Sequence, residues 1–147
     1  MGAWGIDAFE NDIALDFVTI MEEAPDGEGT RGAPGKDAIL VQTLMRAADE
    51  EDGIDSEAAA EGLAAAEILA ALLGKPSPLM MDPEGPAEAL VAWTRNGTTN
   101  LRNPKNTVLA ITAIERAKTS ELAEVWDEAD QGAEWRAAVE DLKARLS

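Results

Sequence analysis

Cysteine, histidine and tyrosine are all missing from this chain, and each absence removes a class of chemistry. Without cysteine there is no disulfide and no thiolate metal site, which agrees with a reducing compartment. Without histidine there is no Ser-His-Asp or Cys-His arrangement, no imidazole general base, and no zinc site built on imidazole or thiolate. Catalysis would have to come from Asp, Glu, Lys, Arg, Ser, Thr, Asn, the backbone or a hard metal ion. Long apolar runs are lacking too. The richest, residues 62–73, is broken by Glu67 and falls short of the roughly 18 apolar residues that a membrane span needs. The first residues carry acids where a secretory leader would carry bases. The expectation is a cytoplasmic protein without membrane association. No segment alternates with period two for long enough to make a strand.

Positive charge is also scarce: 12 Lys and Arg stand against 29 Asp and Glu, a net charge of −17. Spread over a folded surface of about 7,200 Å², that is one net charge per roughly 420 Å², or about 20 Å apart. This spacing exceeds the ~8 Å Debye length at physiological salt, so local clusters matter more than the average field. The sign disfavours nucleic acid and anionic lipid and favours basic proteins or cations.

What the chain does contain is helix punctuation. Its 147 residues suit a single all-α domain, 1–147, of about six helices with its own core. Gly2, Trp4, Gly5 and Phe9 lead into Asn11 or Asp12 as an N-cap. Ile13, Phe17 and Ile20 then form one apolar line, with Ala14, Val18 and Met21 beside it. Residues 25–36 are rich in Gly and Pro and read as a flexible loop. Asp37 can cap a helix over about 38–50, with Leu40, Leu44 and Ala47 inward and Val41, Met45 and Ala48 alongside.

The clearest helix follows. Asp55 or Ser56 begins it, an Ala/Leu/Ile body runs to Leu73, Gly74 suits the C′ position and Pro76 stands just beyond. Being apolar nearly all round, this helix (56–73) belongs at the centre of the bundle. A short helix to about Arg95 offers Leu90, Val91 and Trp93 as core contacts. Asn103 and Pro104 then start another, with Val108, Ile111 and Ile114 inward. Thr119 or Ser120 caps the next, which carries Leu122, Val125, Trp126 and Ala129. The last, over 133–146, aligns Trp135, Ala138, Val139, Leu142 and Leu146, and spaces Asp141 and Arg145 as an i,i+4 ion pair.

Three groups of residues could carry function. Asp49, Glu50, Glu51, Asp52, Asp55 and Glu57 form an acidic cluster with no base among them. Tested as an EF-hand loop with Gly53 at the obligatory glycine, it places Ala48 and Ala59 where the first and the bidentate last ligands belong. That register fails, no metal or cofactor is expected, and a solvated turn open to a partner's Lys or Arg is the simpler reading. Second, Glu67 lies in an apolar helix body, so it reaches solvent at a seam or is buried with a partner such as Lys, Arg or a backbone donor. Third, Arg95, Arg102 and Lys105 occur between Thr94 and Ile114 with no acid. Lacking aromatics at stacking spacing, they are a weak signal for nucleic acid.

MGAWG at the start, the Phe9-Glu10-Asn11-Asp12 box with Asp16 following, residues 64–74 (AAAEILAALLG), and the closing WDEAD and EWRAAVEDLKARL segments together resemble a bacterial family called domain of unknown function 4259. The resemblance covers essentially the whole chain. It marks Trp4, Phe9, Asn11, Asp12, Asp16 and Glu67 as motif positions, and it implies no particular activity, because none is assigned to the family. The leading expectation is a non-enzymatic, acidic protein-interaction module, neutralising a basic partner such as a toxin through the Asp49 to Glu57 cluster. Its rivals are a carboxylate or metal enzyme using Asp12, Asp16 and Glu67, and a scaffold subunit; the oligomeric state is left open.

Overall fold

The structure, a computed structural model, describes residues 12–25, 27, 29–49, 56–76, 90, 93–95 and 101–147. These form an all-α fold whose named helices are α1 (Asp12–Glu23), α2 (Lys36–Asp49), α3 (Ser56–Leu72), α4 (Pro104–Ala117), α5 (Glu121–Glu128) and α6 (Gly132–Leu146). Among the described residues no β-ladder forms; an isolated bridge, Gly29 with Pro34, sits in the α1–α2 loop.

The central position of α3 follows from its composition. Alanine costs no side-chain entropy in a helix and lets neighbouring backbones approach closely. From Ala58 to Leu72 every α3 residue but Glu61 is buried, and the helix packs on all five others. Leu63, Ile68, Leu69 and Leu72 supply the volume that the alanines lack. Its C-terminus closes as expected: Gly74 adopts φ +86°, Lys75 N donates to Ala70 O at 2.9 Å and Gly74 N to Ala71 O at 3.0 Å. This is the Schellman arrangement, which only a residue at ease with positive φ completes without strain.

Other caps are equally local. Asn103 Oδ1 accepts from Asn106 N at 3.0 Å while Pro104 occupies the first turn of α4. Ser120 holds the cap position of α5, but its hydroxyl turns back to donate to Ala117 O at 2.6 Å. Beyond α5, Asp130 takes the left-handed C′ position with φ +59°, and Gln131 N donates to Trp126 O at 3.0 Å. A side chain at such a φ costs about 1 kcal/mol, somewhat less for Asp. Asp130→Gly is therefore expected to raise stability by roughly 0.5 kcal/mol, read as a higher urea midpoint at unchanged slope.

Several core expectations hold. Ala14, Phe17, Val18 and Met21 are buried on α1; Leu40, Leu44 and Ala47 on α2; Leu90 and Trp93 between α3 and α4; and Trp135, Val139, Leu142 and Leu146 on α6. Four do not: Ile20 is 51% exposed, Met45 53% and Val108 64%, and Ala129 at the C-cap of α5 is exposed as well, while Ile13, Val41, Ile111, Val125 and Ala138 are half-buried. On α4 the inward line is Asn106, Ala110, Ala113, Ile114 and Ala117. Close approach to the alanine face of α3 selects small residues, and Val108 is turned outward. Boundaries shift slightly too: α1 begins at Asp12 and α2 at Lys36, so Asp37 lies inside the first turn of α2, buried. The stretch read as a flexible loop carries backbone bonds of its own, with Lys36 N donating to Pro25 O at 2.8 Å and Asp37 N to Gly27 O at 3.0 Å.

Candidate functional site

Glu67 is buried to 4% exposure, and its partner comes from the far end of the chain. Arg145, in the last turn of α6, donates from Nη1 to Oε2 and from Nη2 to Oε1, both at 2.8 Å. This two-pronged geometry is the strongest that a carboxylate and a guanidinium can adopt. Arg145 Nε also donates to Asp141 Oδ2 at 2.9 Å, and Nη1 to Lys75 O at 3.2 Å. Its hydrogen bonds to Glu67 above all, against desolvation and with Asp141 adding to them, hold Arg145 above the usual guanidinium range. The sequence alone showed the i,i+4 pair. It gave no sign of the longer one, because a partner 78 residues away leaves no local pattern.

Arg102 works at the same end of the molecule. Its Nε donates to Leu72 O at 2.6 Å and its Nη2 to Thr94 O at 3.1 Å. With the Schellman bonds, this satisfies the carbonyls that the end of α3 leaves open. Between α3's C-terminus, α4's N-terminus and α6's C-terminus lies a groove of about 530 Å³, lined in part by Leu73, Lys75, Arg102, Pro104, Val108 and Arg145. Thus Arg102, one of the three bases singled out in the sequence, lines a concave surface. Arg95 and Lys105 are exposed outside its lining.

The acidic residues are distributed differently. Asp12 and Asp16 are exposed on α1, whereas Glu67 is engaged by Arg145. Among the described residues no group of three or more carboxylates is placed to hold a metal ion, so Asp12, Asp16 and Glu67 are not gathered into one. Of the Asp49 to Glu57 cluster, Glu57 is exposed in the first turn of α3. Glu50, Glu51, Asp52 and Asp55 and the side chain of Asp49 lie outside the described residues, as do Trp4, Phe9 and Asn11.

A second acidic surface was not singled out from the sequence. Glu121, Glu124, Asp127, Glu128, Asp130 and Glu134 are all exposed along α5 and the start of α6. The available signal is plain: no Lys or Arg occurs from 121 to 134. Asp127 is bound by Arg136, whose hydrogen bonds hold its carboxyl below the usual range. On the neighbouring α4–α6 face, Glu115 is likewise held low, chiefly by its hydrogen bond with Lys143, with Lys118 helping to outweigh the opposing desolvation.

No curated protein and no solved structure matches the chain. Residues 2–138 of the 147 match the family described as Domain of unknown function (DUF4259), to which the chain therefore belongs.

Proposed function

We propose that the protein is a non-enzymatic, acidic interaction module that binds a basic partner protein. The observation that carries this reading is the face formed by Glu121, Glu124, Glu128, Asp130 and Glu134, all exposed and without a base in the same stretch. Among the described residues these five make no ion pair. Uncompensated charges on a rigid helix attract a partner's Lys and Arg without first having to break internal pairs. The total surface of 7536 Å² keeps the mean spacing of net charge near 20 Å, so this face acts over short range and salt should suppress it. The acids from Asp49 to Glu57 are a second base-free run of the same sign in the sequence.

Affinity capture from host lysate at low and at high salt tests the reading. A stoichiometric basic protein should be retained at low salt and released as the Debye length shrinks toward ~3 Å near 1 M salt. Glu121→Lys, Glu124→Lys and Glu128→Lys together should abolish the capture. No such partner, or one indifferent to both salt and charge reversal, would overturn it.

A further inference from the structure

We propose that the groove between the ends of α3, α4 and α6 binds a small oxyanion, carboxylate or phosphate, carried on an aliphatic body. Its charge arrangement runs against the rest of this acidic chain. Arg102 spends two N–H groups on the neutral carbonyls of Leu72 and Thr94. Its side chain is thereby held in the lining, and it makes no ion pair among the described residues. Lys75, exposed on the same lining, also has no ion pair among them. Arg145 is different: Glu67 and Asp141 already balance it, so it serves as a rigid wall and not as the anion's partner.

Two further features favour an anion. The positive end of α4, fourteen residues long, lies at the groove with no acid in its first turn. Of the two negative helix ends at the groove, that of α3 is covered, because its carbonyls accept from Lys75 N, Gly74 N and Arg102 Nε, while that of α6, with Leu146 and Ser147, also lines the groove. The aliphatic requirement comes from Leu73, Pro104 and Val108, with Val108 leaving 64% of its surface to water. A space of about 530 Å³ falls within the usual range of small-molecule sites, where a few polar groups orient a ligand and apolar walls hold it. The −17 net charge is too dispersed to cancel two local cations, one of them held in place, given the ~8 Å screening length.

Titrating the full chain with hexyl phosphate, hexanoate and inorganic phosphate, observed by NMR at the Val108 methyls and the Arg102 side-chain N–H, tests this proposal. At least one hexyl compound should bind saturably at one site per chain, about tenfold more tightly than inorganic phosphate because its methylenes are buried. The tighter of the two identifies the oxyanion. Lys75→Glu and Val108→Asp, both at exposed positions, should each weaken binding about tenfold. Arg31→Glu, in the α1–α2 loop and outside the groove's lining, should leave it unchanged. The proposal is overturned if the shifts do not saturate, if Arg31 and Arg95 respond as Arg102 does, if both groove variants bind like the parent, or if inorganic phosphate binds as tightly as the hexyl compounds.

Discussion

Replacing Arg145 by Met is expected to cost the folded state about 3 kcal/mol, the low end for removing one member of a buried ion pair. The reason lies on the other side of the pair. Glu67 is 4% exposed, and its two oxygens lose two short hydrogen bonds at once while the carboxylate stays in an apolar helix body. Part of the cost is softened because Arg145 itself is 19% exposed and its exposed partner Asp141 simply returns to water. For a chain of this size the loss corresponds to roughly 6 to 12 °C in Tm. Glu67→Gln should cost less, about 1 to 2 kcal/mol, because an amide is cheaper to bury than a carboxylate that has lost its guanidinium. The double variant Glu67→Met with Arg145→Met should recover to within about 1 kcal/mol of the parent, since no charge is then left uncompensated. Urea unfolding of the three variants decides the matter. If the single Arg145→Met variant unfolds with the parent, or the double variant is less stable than the single, the pair does not hold α6 onto α3 as the geometry implies.

This pair also marks the limit of what the sequence discloses. Features written within a few residues are legible: the glycine and proline that end α3, the Asn103 and Pro104 start of α4, and the apolar lines of α1 and α6. Each depends on backbone chemistry that operates locally. The central place of α3 is legible as well, because a helix apolar on all sides has nowhere else to go. By contrast, the groove needs α3, α4 and α6 to end beside one another, and only tertiary packing arranges that. Arg102 illustrates the difference. As a base in an acid-free stretch it was visible, but not its two bonds to carbonyls. The outward turn of Val108 has a similar origin: hydropathy ranks Val above Ala, yet at a close crossing volume decides and Ala110, Ala113 and Ala117 go inside. The α5 acids are legible as a base-free stretch from 121 to 134, but the denser acidic run from Asp49 to Glu57 is the stronger signal in the sequence.

Gly62→Ala is expected to destabilise the protein by about 1 kcal/mol, although alanine is the better helix former by about that much. The opposing effect is steric. A Cβ added at Gly62 would stand 2.5 Å from the Cβ of Ala47 on α2, where carbon atoms normally sit about 3.5 to 4 Å apart. Ala47 is buried and has no rotamer by which to escape, so α2 and α3 must separate by about 1 Å. Both helices also pack on α4, and that separation loosens three interfaces together. Overpacking of this kind costs about 1 to 3 kcal/mol, enough to outweigh the gain in propensity. Gly62→Val adds two more methyl groups at the same crossing and should cost about 3 kcal/mol or more. Ala47→Gly supplies the diagnostic, since it destabilises alone by about 1 kcal/mol through propensity yet should relieve the clash in combination. A double-mutant cycle of Ala47→Gly with Gly62→Ala should then show a favourable coupling of about 1 to 2 kcal/mol. Stabilisation by Gly62→Ala alone, or additivity in the cycle, would show that propensity and not the close approach of α2 selects glycine here.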